Sequence, residues 1–93
     1  MVSADTVMKY GEALLVRSTI VKKMKNSSSL SDQERYIEVV NIFNEANKAF
    51  QSGEMEEAKK LALDSIRVIG RSVPQYYARI AKENRSQIAR NVQ

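Results

Sequence analysis

Cysteine, histidine and tryptophan are all missing from this chain of 93 residues. Without cysteine there is no disulfide framework and no thiolate to act as nucleophile or metal ligand. Without histidine the commonest general base and the commonest metal ligand are gone. A serine–histidine–acid triad cannot be assembled, and the Glu-x-x-His pairs that line di-metal helical bundles have nothing to build on. One proline and three glycines leave little punctuation, which suits a mostly helical chain. Gly53 and Gly70 stand alone, so no glycine-rich loop is set to cradle a phosphate. No apolar run approaches the roughly 18–20 residues a membrane span needs; the longest, Ala13-Leu14-Leu15-Val16, stops at Arg17. The opening Met1-Val2-Ser3-Ala4-Asp5 has neither the basic nor the apolar region of a secretory signal. These absences lead us to expect a cytoplasmic, non-enzymatic protein with no catalytic residue, no cofactor and no metal. The carboxylate pairs Glu34/Glu38 and Glu54/Glu57 read as capping and solubility.

What is present points to one all-α domain over residues 1–93. A chain of this size buries only about 60% of the surface its unfolded form exposes. Its core is therefore thin, and pairing with a second chain is an easy gain in stability. The last helical pattern runs to Gln93 without a stop signal, as in a piece of a longer protein. The net charge of +4 is unevenly spread. Residues 1–31 hold five cations against two anions, residues 32–70 five against eight, and residues 71–93 five against one. An acidic middle lies between basic flanks, which reads first as internal or neighbour complementarity.

Apolar spacing predicts four helices, at about 4–25, 32–52, 54–69 and 73–92, in an up-down bundle. Ser3 caps the first helix, and Val7, Tyr10, Leu14, Val21 and Met24 form its inner face. Gly11 and Ser18 on that face let another helix approach closely. Asn26-Ser27-Ser28-Ser29 reads as a linker. Ser31-Asp32-Gln33-Glu34 fits a capping box at the start of the second helix. The wide face of Tyr36, Val39, Val40, Phe43, Ala46, Asn47 and Phe50 makes that helix central. Gly53 takes positive φ and turns the chain. The third helix packs through Met55, Ala58, Leu61, Ala62, Ser65, Ile66 and Ile69, and Gly70 ends it. Pro74 fits the first turn of the fourth helix, whose inner side carries Tyr77, Ile80, Ala81, Asn84, Ile88 and Val92.

The second and third predicted helices resemble one tetratricopeptide-type hairpin over residues 42–70. Ala46 and Gly53 stand at that motif's small and turn positions, and Ala58 and Ser65 at the small positions of its second helix. Glu54, Met55, Glu56 and Glu57 match its acidic turn. Ile42 stands where a large aromatic is usual, Ala49 where a tyrosine is usual, and Gly70 near where a proline ends the unit. The last three predicted helices are also similar to a microtubule-interacting and trafficking domain. Both resemblances imply a non-enzymatic module that docks a partner helix or extended segment in a groove: an adaptor, a chaperone-like binder or an assembly subunit that self-associates.

The candidate partner-binding residues are Tyr76, Arg79, Lys82, Arg85 and Arg90, on the outer face of the fourth predicted helix. Tyrosine and arginine are common interface anchors. The alternative role for the same residues is nucleic-acid binding, with the cations tracking phosphates. Glu83 interrupts that patch, and the residues read first as a solvated face. Of the adjacent tyrosines, Tyr77 is expected in the core and Tyr76 at its edge or outside.

Overall fold

The computed structural model describes the backbone of residues 2–92 and the side chains of residues 2–85. It is all-helical, with four helices and no strand among the described residues. In order they are α1 (Ala4–Arg17), α2 (Thr19–Lys25), α3 (Leu30–Gln51) and α4 (Met55–Val92). The described chain measures 61 × 24 × 17 Å, an elongated body set by the length of α4.

The number of helices agrees with expectation, but two boundaries move in opposite directions. The predicted helix 4–25 is two. Ser18 leaves helical geometry at φ −68° and ψ 123°. Its N–H still bonds to the Leu14 carbonyl, and its Oγ accepts from the Val21 N–H at 3.4 Å. A serine hydroxyl competes with the helical ladder for backbone groups, and Thr19, Ile20 and Val21 are β-branched residues of modest helix propensity. The break re-aims α2, so that Val21 packs in one cluster with Val39 of α3 and Val68 and Ile69 of α4.

The predicted helices 54–69 and 73–92 are one. α4 passes through Gly70 and Pro74 without interruption. Gly70 is therefore not a terminating residue, and its φ is not positive. Pro74 cannot donate to the Gly70 carbonyl, and its ring crowds that oxygen. Both residues are exposed, so the missing bond falls on the solvent side of α4 and not in the core. On the inner side, buried Ser72 donates from Oγ to the Val68 carbonyl at 2.7 Å.

The expected capping box is also absent. Ser29, not Ser31, precedes the first turn of α3, and it makes no side-chain cap. Asp32, within the first turn, is buried.

α3 and α4 lie side by side and run in opposite directions. Moving up α3 from Tyr36 and Val39 to Phe43 and Ala46 means moving back along α4 from Val73 and Val68 to Ala62. Ala46, Ala58 and Ala62 are wholly buried, each with 0% of its surface exposed. Side chains this small let the two backbones approach closely. Ser65 Oγ donates to the Val39 carbonyl at 3.2 Å across that contact. The corner is Ser52-Gly53-Glu54, with Gly53 at φ +82°, a conformation that costs a residue with a Cβ about 1–2 kcal/mol.

α1 covers the same hairpin through Val7 and Met8, which share a cluster with Phe43, Ala46 and Ala62. Gly11 is buried against Phe43, and a Cβ there would fall 2.7 Å from the ring. The expectation that Gly11 permits close approach holds in that contact. Tyr10 does not follow: it is 57% exposed, one residue round the helix from buried Gly11. Met55 is likewise exposed rather than inside.

Candidate interaction surfaces

The far end of the hairpin is closed by a polar clasp. Ser27, in the loop between α2 and α3, donates from Oγ to Asp32 Oδ2 at 2.6 Å and accepts from the Ser29 N–H at 3.0 Å. Gln33 Nε2 donates to the Ser27 carbonyl at 2.6 Å. Asp32, only 7% exposed, then accepts from Arg79 Nη2 on α4, forming an ion pair between residues far apart in the chain. Arg79 Nη1 donates to Glu83 at 2.7 Å, and its guanidinium lies 5.3 Å from the Tyr76 ring centroid. The hydrogen bond to Glu83, with the charges of Asp32 and Glu83, outweighs partial burial and holds Arg79 above its ordinary value. Its charge is therefore kept at every pH at which a protein is handled. The clasp is a structural contact in which both Arg79 Nη atoms are engaged, while its buried Nε has no hydrogen-bond partner.

That geometry changes the candidate residues one by one. Arg79, expected on the outer face, points inward and is engaged on both sides. Tyr76 is half-buried beneath it, and Tyr77, expected in the core, is 57% exposed. The two tyrosine rings meet edge-on at 5.9 Å. Lys82 and Arg85 are exposed. Arg90 lies outside the described side chains, as do Ile88 and Val92. Among the described cations Arg79 is thus drawn away from the exposed Lys82 and Arg85 by its ion pairs with Asp32 and Glu83. The inward side of α4 is the row Ser65, Val68, Ile69, Ser72, Val73, Tyr76, Arg79 and Ile80. A helix that started at Pro74 would set its own phase, whereas α4 carries its phase through from Met55 and turns Tyr77 outward.

A second surface lies at the other end. Between α1 and the first half of α4 runs a groove of about 410 Å³, lined by Val2, Thr6, Val7, Tyr10, Lys59, Leu63 and Ile66. Its walls are almost entirely carbon. Val2, just before α1, and Tyr10, on it, stand at the rim, 53% and 57% exposed. Thr6 and Tyr10, four residues apart on α1, share one face of the helix, and Val2, in the extended segment before the N-cap Ser3, lines the same groove. Thr6 Oγ1 lies 2.9 Å from Ser3 Oγ, and the Thr6 N–H donates to the same atom. Nearby on α1, Lys9 pairs with Asp5 at 3.1 Å. Tyr10, expected on the inner face of the first helix, is instead part of this exposed surface.

A smaller cleft of about 250 Å³ lies between α3 and α4 and is lined by Arg35, Glu38, Val68, Arg71, Ser72 and Gln75. Arg35 is already paired with Glu38 at 2.7 Å. Among the described residues no three acidic side chains converge as a metal site would require. No helix among them is long and apolar enough to cross a membrane. No family model matches the chain, and no curated protein or solved structure matches it.

Proposed function

We propose that this protein is a non-enzymatic protein–protein interaction module, an assembly subunit or adaptor that docks a helix on the groove between α1 and α4. The observation that carries this reading is the groove itself: a carbon-lined concavity with two large apolar side chains exposed on its rim. Contiguous exposed apolar surface on a small protein marks an interaction site, and helical partners seat apolar side chains in such grooves. The antiparallel contact of α3 and α4, with Ala46, Ala58 and Ser65 at its small positions and Gly53 at its turn, supports the tetratricopeptide-like part of the reading. An up-down bundle in which α1 and α2 together cover that hairpin belongs to the same proposal. Because α4 continues past Gly70, the module acts singly, not as one unit of a stacked array. Nucleic-acid binding through α4 is the weaker reading, since its central arginine is committed to Asp32 and Glu83.

A photo-crosslinking side chain placed at Tyr10 tests the proposal in the living cell. It is expected to trap protein, and the same group at exposed Lys48 on α3 is not. No protein adduct at Tyr10 overturns the reading.

A further inference from the structure

We infer that the clasp end of the molecule is a docking surface for double-stranded nucleic acid, held by its phosphate backbone on the lysines of α2 and the cations of α4 past Arg79. This surface lies apart from the groove and goes beyond the interaction-module reading. The clasp builds it. Ser27 stands two residues past Lys25, the end of α2, and its Oγ lies 3.5 Å from Arg79 Nη2. The last turn of α2 is thereby brought beside α4. Lys22, Lys23 and Lys25 belong to that turn, and all three are exposed. Lys82 and Arg85, also exposed, follow Arg79 by about 4.5 and 9 Å along the helix axis. Among the described residues none of these five cations pairs with a carboxylate. With Arg79, Asp32, Glu83 and the exposed Glu34 included, six cations face three anions, so this end holds three of the chain's four net positive charges. Arg79 is no part of the contact. It takes up two acids that would repel a phosphate and leaves its neighbours unpaired.

The shape suits a rod better than a sheet. α3 begins at Leu30, and Asp32 in its first turn meets Arg79, yet α4 runs on to Val92, about 20 Å farther. The basic end is thus a ledge beside a projecting helix. A flat lipid surface facing that end would meet the tip of α4 before the lysines, whereas a rod lies in the corner and touches both helices. A duplex carries one charge per about 1.7 Å of its length, dense enough to meet every cation of the ledge. The aromatic rings of this end are already covered. Lys25 Nζ lies 5.9 Å from the Tyr36 centroid, and the Arg79 guanidinium 5.3 Å from that of Tyr76. Exposed Tyr77 points away from Arg79, about 200° round α4. Among the described residues no ring on the ledge is left to stack an unpaired base, which single-strand binders require. Recognition therefore falls on the duplex backbone and carries no base preference.

Fluorescence polarisation of a labelled DNA duplex about two helical turns long tests the inference on the full chain. Binding is expected at low salt (about 50 mM), unchanged when the base sequence is scrambled, with log K falling against log salt at a slope of about −4. Lys22→Gln, Lys23→Gln and Lys25→Gln in one protein are expected to flatten that slope by about 3 and to weaken binding by about tenfold or more. Lys9→Gln, Lys48→Gln and Lys60→Gln remove the same net charge from exposed lysines away from the clasp, and are expected to leave the slope as it was. An RNA duplex presents the same backbone chemistry in the other helical form, and binding of either duplex supports the inference. No binding of either at low salt, equal losses in the two triple variants, or tighter binding of a single-stranded oligothymidylate overturns it. If the first triple variant loses phosphatidylserine vesicles but keeps the duplex, the end belongs to a membrane surface and the inference falls. The Tyr10 photo-adduct is independent of all these outcomes, so the interaction-module reading stands or falls separately.

Discussion

Two stretches of this chain look alike as sequence and behave in opposite ways. Ser52-Gly53-Glu54 and Gly70-Arg71-Ser72-Val73-Pro74 both carry the residues that end helices. The first turns the chain and the second does not. The difference lies in what the neighbouring positions bury. Every residue from Gln51 to Glu57 is exposed, so leaving the helix there sacrifices no core. Around Gly70, by contrast, Val68, Ile69 and Ser72 are buried and Val73 packs on the same cluster. The apolar row continues across the glycine and the proline in one helical phase. Breaking the helix would pull that row off α3, and burial of several side chains at about 1.5–3 kcal/mol each exceeds the roughly 3 kcal/mol a helical proline costs. Glycine and proline set the local cost of a turn; the continuity of the buried face decides whether the chain takes it.

Substitutions at the two stretches sharpen the contrast. Pro74→Ala restores an N–H to the interior of α4 and is expected to stabilise the protein by up to roughly 3 kcal/mol, read as a raised denaturant midpoint. If Pro74 instead began a separate helix, the same change would be neutral or harmful. Asp32→Ala releases the second half of α4 from α3 and is expected to cost about 2 kcal/mol, with faster amide exchange concentrated in residues 73–85. An unchanged exchange pattern there would show that the apolar row alone holds that half. Gly53→Ala forces a Cβ into positive φ and is expected to lower stability by about 1–2 kcal/mol. Gly70→Ala meets nothing within 4 Å and gains helix propensity, so an increase of about 1 kcal/mol is expected. Opposite signs for the two glycines in thermal melts are the sharpest single check, and a loss at both positions would break the comparison.

Much of the hairpin was legible because its signals are local. Gly53 with three glutamates after it, and alanines at helical spacing on both sides, place a corner and a close contact without reference to anything distant. The capped start at Ser3 and the need for glycine at position 11 were equally readable. The clasp was not, because Asp32 and Arg79 lie far apart in sequence, and each taken alone suits an exposed helix surface. Ser31 to Glu34 spells a capping box, yet Asp32 gains more from Ser27 and Arg79 than the helix start gains from the box. The outward tyrosines failed for related reasons. Tyr10 satisfies the apolar period as well as Gly11 does, but only the smaller residue fits against Phe43, while the phase at Tyr77 depends on whether Pro74 starts a helix or continues one.

The placement of the clasp also orders how the molecule assembles. Asp32 and Arg79 are separated by 47 residues, and joining them directly would require closing that whole loop against its entropy. The corner at Gly53 shortens the task. Once α3 and α4 pair beside it, each further pair of contacts closes only a small additional loop, and the zipper reaches the ion pair last. The same bond is then the first long-range contact to open when the hairpin frays, so its partners report the onset of unfolding while the alanine contacts near the corner persist until global unfolding.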